Sequence, residues 1–142
     1  MPNYFNMKKL LMLLSAGVFC SAIMPGQDDE LAKSIERGKM IYSENCITCH
    51  MGNGEGVPAA FPPLAKSDYF INAPENAIRA VKFGLIGKIK VNGIDYDNMM
   101  PDPGLGKDEI ADVVNYISNS WGNSSDKKII TEKMVEETKE NK

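Results

Sequence analysis

Cys46-Ile47-Thr48-Cys49-His50 sets two thiols three residues apart, with an imidazole directly after them. Thiols at that spacing can add to the two vinyl groups on one edge of a haem, and the next residue then faces the iron. C-x-x-C-H is a haem-attachment signal for this reason. Three other chemistries use such cysteines, and each lacks something here. A structural zinc site wants four ligands, whereas beyond its amino-terminal stretch the chain offers two thiols and a single histidine. A thioredoxin-like redox pair needs a strand–helix–strand setting that the pattern does not contain. A plain disulfide between neighbours this close leaves His50 without a role. The expected cofactor is therefore one covalent haem c, attached through Cys46 and Cys49 with His50 on the iron.

His50 is the only histidine of the sequence, so a second imidazole ligand would require a partner chain. A methionine thioether is the usual alternative, soft enough for haem iron, and it raises the reduction potential. Met51 adjoins His50 and cannot reach the opposite haem face, while Met134 lies in a polar tail. That leaves Met99 and Met100, in a loop of prolines and glycines. Met100 is the better candidate because Pro101 restricts its backbone to extended values. The competing reading makes both methionines core packing, their commonest role, and leaves the sixth iron position open to a gas or substrate.

These residues need elements to hold them. The chain has 142 residues, 43% hydrophobic and 25% charged, which bounds it to a single globular domain enclosing one cofactor-sized core. A net charge of −3 argues against nucleic acid as a partner. Lys8 and Lys9 followed by the apolar run from Leu10 to Phe19 read as an export signal, too short to span a bilayer comfortably. Small residues in Cys20-Ser21-Ala22 place cleavage after Ala22, which makes 1–22 a signal peptide and the expected location the periplasm. The rival reading lipidates Cys20 and anchors the protein at the membrane surface, although Phe19 is bulky for a lipoprotein signal.

Asp28, Asp29 and Glu30 open a helix whose dipole favours them, and Leu31, Ile35, Gly38 and Tyr42 form the face that delivers the chain to Cys46. Residues Gly52 to Pro63 read as an ordered loop. Pro74 suits the start of a short helix carrying Ile78 and Val81 inward, with Gly84 at its end. Asn92-Gly93 predicts a tight hairpin between Lys88–Val91 and Ile94–Tyr96. The second strong helix runs from Asp108 to about Ser120, with Ile110, Val113, Val114, Ile117 and Trp121 on one face, and Gly122 stops it. Residues 28–123 form the expected domain. The charged remainder, 124–142, is read as solvated surface in which Ile129, Ile130, Met134 and Val135 could dock a short helix starting near Thr131. Arg79 is weighed as a donor to a haem propionate against a solvated helix residue, and Trp121 is read as core.

Gly38-Lys39-Met40-Ile41-Tyr42, the Cys46-to-His50 motif, Pro62-Pro63-Leu64, Met100-Pro101 and a closing helix through Tyr116 to Trp121-Gly122-Asn123 together resemble the class I cytochromes c. The likeness runs from about Glu30 to Asn123, and is greatest to bacterial mono-haem forms with a hairpin ahead of the methionine loop. It implies a mainly α fold, with amino- and carboxy-terminal helices packed around one covalent haem. Those helices would cross at the Gly38 and Tyr42 face with Tyr116 and Ile117 opposite. The resemblance also implies that the Pro62 carbonyl accepts from the His50 ring nitrogen not on iron, fixing the tautomer, and that Leu64 packs on the porphyrin. Gly106 stands near where relatives have a Ser or Thr cap, an inexpensive substitution.

The expected role is that of a monomeric one-electron carrier of a respiratory chain, not an enzyme, passing electrons between redox partner proteins. Two readings compete with it: a haem subunit held permanently by a dehydrogenase or reductase, and an open-site haem enzyme or gas binder.

Overall fold

The computed structural model describes residues 26–124 and 128–140; residues 1–22, expected to be an export signal and including Cys20, lie outside the described residues. Helix α1, Gln27–Asn45, begins with its three acidic residues in the first turn and buries Leu31, Ser34, Gly38 and Tyr42 along one face. A single turn, α2, Ile47–His50, follows at once. After a long loop come α3, Asp68–Ile71, and α4, Pro74–Phe83. The antiparallel hairpin β1, Ile89–Val91, and β2, Ile94–Tyr96, pairs Ile89 with Tyr96 and Val91 with Ile94. Helix α5, Lys107–Ser118, and a short α6, Glu132–Glu137, complete the order. The architecture is mainly α with one small hairpin. Among the described residues no helix is long and apolar enough to cross a membrane.

Among the described elements, helices α1 and α5 share the most extensive contact. Gly38 makes it: a Cβ there would fall 2.0 Å from the Asp112 carbonyl oxygen and 2.8 Å from Tyr116 Cβ, so only glycine lets the backbones meet. Gly38→Val is expected to cost about 3 kcal/mol through overpacking, and to lower the thermal midpoint of the holoprotein by roughly 10 °C or more. An unchanged melting curve would place the crossing elsewhere. Beside this contact Tyr42, Tyr116 and Trp121 pack with ring centroids 5.0–5.4 Å apart.

Trp121 reaches that cluster by a route its helical spacing did not indicate. Helix α5 ends at Ser118, short of the expected Ser120, and Trp121 joins from a left-handed turn at φ +52°, followed by Gly122 at +83°. Its ring lies where a Cβ on Gly54 would be, 2.5 Å from Cε3, and so closes over the loop after the cysteines.

Four polar residues, unmarked by hydrophobic periodicity, lock the two helices. Asp112 accepts from Ser34 Oγ at 2.7 Å and from both Nε and Nη2 of Arg37, at 2.5 and 2.8 Å. Asn115, fully buried, donates to Ser34 Oγ at 2.8 Å and to the Ile130 carbonyl at 2.9 Å, and accepts from the Ile130 N–H at 2.7 Å. The carboxy-terminal segment is thereby docked rather than merely solvated. Thr131 caps α6, Ile130 and Val135 are buried, and Lys82 Nζ donates to the carbonyls of Val135, Glu136 and Thr138. Met134, expected among the docking residues, is instead exposed.

Candidate haem site

Cys46 stands just before α2, with Cys49 and His50 one helical turn on, and the Cys49 and His50 N–H groups both donate to the Cys46 carbonyl. Cys46 is buried and Cys49 half-buried. Burial, with Cys49 adding to it, pushes the Cys46 thiol up to about 11, so it stays protonated at neutral pH and is withheld from disulfide exchange. Burial also holds His50 below the usual imidazole value, against an opposing hydrogen bond to Pro62. The ring is consequently neutral at neutral pH, the form that binds metal.

The loop after α2 brings Pro62 to His50. The Gly56 N–H donates to the His50 carbonyl, the Leu64 and Ala65 N–H groups both donate to the Gly54 carbonyl, and Val57 pairs with Phe61. Gly56, at φ +62°, passes so near this strand that a Cβ would fall 2.7 Å from the Pro62 carbonyl oxygen. That oxygen lies 3.0 Å from His50 Nδ1, a hydrogen bond in which the ring N–H donates. Nε2 is left for the cleft.

The cleft has two adjoining parts that share several lining residues, the first lined almost wholly by apolar surface. Cys46 and Leu64 line the inner part, Cys49 the outer, and His50, Pro62 and Met100 line both. Leu85, just beyond α4, and Ile89 of β1 also border both parts, and Asn76, Ala77, Ala80 and Val81 of α4 line the inner one. Met100 is half-buried, its N–H and C=O both paired with Leu85 at 2.9 and 2.8 Å. Met99 is 66% exposed and lines only the outer part. Gly84 lets this loop approach, since a Cβ there would fall 2.7 Å from the Met100 carbonyl oxygen.

Arg79 does not line the cleft: it donates to the Lys139 carbonyl and to Asn76 Oδ1. Ser67, Tyr69 and Asn76, which carry no motif, do line it. Among the described residues no group of three His, Cys, Asp or Glu could hold a metal ion, which leaves the zinc alternative without ligands. An apolar cleft with two thiols, a neutral imidazole and a thioether on its walls suits an iron porphyrin.

Comparison with known proteins bears on the same cofactor. The cytochrome c family model matches residues 35–121, more than half of the chain. The chain is 40% identical over 99 residues to cytochrome c-552 of Thermus thermophilus, covering 66% of each protein. It is 34% identical over 116 residues to the cytochrome c subunit of a quinone alcohol dehydrogenase from Gluconobacter oxydans, covering 70% of this chain and 23% of that one. With the gluconate 2-dehydrogenase cytochrome c subunit of Pantoea cypripedii it shares 32% over 120 residues, 77% of this chain and 26% of the other. The chain thus spans just under two thirds of the Thermus protein and about a quarter of each dehydrogenase subunit. With a family match of this extent laid over a cleft of this chemistry, the chain belongs to the cytochrome c family and carries a covalently attached haem c.

Proposed function

We propose that the protein is a periplasmic one-electron carrier of a bacterial respiratory chain, exported by residues 1–22 and working as a monomer through its 28–123 domain. The bound haem supplies the redox chemistry, holding or releasing one electron as iron moves between Fe(III) and Fe(II). Cys46 and Cys49 tether it through thioethers, and His50 ligates the iron through Nε2. Pro62 orients the imidazole and raises its basicity by accepting from Nδ1. Met100 would offer its thioether to the iron, which would close the metal to substrates and make the protein a carrier rather than an enzyme. Leu64 would pack against the porphyrin. The observation that carries this reading is that His50 and Met100, 50 residues apart in sequence, line the same two parts of one cleft.

Carbon monoxide tests it. The reduced protein at neutral pH is expected to leave its visible spectrum unchanged under carbon monoxide while titrating reversibly as a one-electron couple. Prompt carbonyl formation in the wild type would replace the carrier with the open-site reading. A second role, as a subunit held permanently in a dehydrogenase complex, is favoured by the two relatives whose names say they are such subunits. Purification from the native host separates the two: the carrier elutes alone, the subunit in a stoichiometric complex.

A further inference from the structure

Helix α6 ends on carbonyls that no basic residue of its own last turn can serve. Helix α4 supplies the cation instead. Lys82, half-buried, directs its ammonium, a group with three donors, onto the Val135, Glu136 and Thr138 carbonyls at 2.6, 3.2 and 2.8 Å. Three residues earlier on the same face, Arg79 donates to the Lys139 carbonyl at 3.0 Å. At the other end of the segment, Asn115 of α5 pairs with both backbone groups of Ile130. Residues 128–140, past the end of the family match at residue 121, are thus tied to α5 where they start and to α4 where they finish.

What they hold lies next to Met100. Lys82 stands three residues before Leu85, and Leu85 exchanges both backbone hydrogen bonds with Met100. The connection has little slack. Gly84, at φ +73°, presses so closely on the methionine loop that a Cβ would fall 2.7 Å from the Met100 carbonyl oxygen and 2.9 Å from the Asp102 nitrogen. The other face of α4 carries Ala77, Ala80 and Val81 into the cleft. A helix of ten residues owes its order to what packs on it, so the tail on the outer side limits how far the carboxy end of α4 can swing.

We propose that residues 128–140 are a strap that positions the sixth iron ligand: through Lys82 and Arg79 they hold the end of α4, and with it Leu85 and the Met100 thioether. This rests on the Met100 ligation above. The test uses full-length holoprotein carrying Lys82→Met, which keeps the aliphatic stem and removes the donors, or Arg79→Met. On heating, the methionine-to-iron charge-transfer band of the oxidised protein is followed beside its far-ultraviolet circular dichroism, and amide exchange is read by NMR in the reduced protein. In wild type the band and the helices are lost together. In Lys82→Met the band goes first, and the Leu85 and Met100 amides exchange roughly tenfold faster, the scale of one lost hydrogen bond to a charged group. Arg79→Met moves both readings the same way, and Val113 and Val114 of α5 keep their wild-type exchange in either variant. A purely structural role would lower both transitions together and quicken exchange in α5 as well. Coincident loss of band and helices in Lys82→Met, with Leu85 and Met100 exchanging at wild-type rates, overturns the proposal. If Lys82→Met fails to accumulate, Arg79→Met decides alone. Absence of the band from wild type sinks the ligation instead, and the exchange rates then report the strap's hold on the Met100 loop by themselves.

Discussion

Met100→Ala is expected to abolish the methionine-to-iron charge-transfer band of the oxidised protein, while Met99→Ala keeps it. The two methionines are adjacent and chemically identical, so position decides between them. Met100 is half-buried in both parts of the cleft and clamped to Leu85 through both of its backbone groups, whereas Met99 is largely exposed. Bringing Met99 onto the iron would break the Leu85 pairing and carry Pro101, whose φ is fixed, along with it. Loss of the thioether opens the sixth position or admits a harder donor. The midpoint potential should then fall by roughly two tenths of a volt, a fraction of the ~0.8 V that axial ligation commands. The reduced variant should also bind carbon monoxide promptly. Loss of the band in Met99→Ala with retention in Met100→Ala would reverse the assignment.

The Cys46→Ser/Cys49→Ser double variant, produced in a host competent for haem attachment, is expected to accumulate at least tenfold less folded protein than wild type. Its denatured mass should be that of the bare chain, against chain plus one haem for wild type. The reason is burial. The cleft is walled largely by apolar side chains, Phe70, Ala77, Ala80 and Val81 among them, and without the porphyrin that surface is left facing water in a small domain that has little apolar burial to spare. Each single variant keeps one thioether and should fall between the extremes. A folded, haem-free double variant at normal levels would show that the polypeptide does not need the porphyrin in its core.

Much of the frame was legible because it is written in short-range patterns. The acidic first turn and apolar face of α1, Pro74 and Gly84 bracketing α4, and Asn92-Gly93 between the strands all act within a few residues. Asn92 and Gly93 take the positive φ values, +49° and +81°, that such a turn requires. Gly38 was readable as a close-contact residue, although what it touches was not. Elements decided by distant partners left little trace. Helix α3 has too few residues to show a period, and Trp121 fits a helical stripe while standing outside the helix. Ser34, Arg37, Asp112 and Asn115 look like ordinary polar positions until residues 75 to 81 apart are brought together.

What the sequence determined by itself was the chemistry: two thiols and an imidazole within five residues bring their own geometry, because one helical turn sets their spacing whatever surrounds them. The sequence also narrowed the second axial candidate to two adjacent methionines. Only the tertiary structure decided which of those borders the cleft on both sides, that Arg79 faces the tail instead of the cofactor, and that Lys82 closes the end of α6. Those outcomes turn on hydrogen bonds between the Met100 loop and Leu85, between Arg79 and Lys139, and between Lys82 and Val135. Bonds of that kind join segments far apart along the chain and exist only once it has closed upon itself.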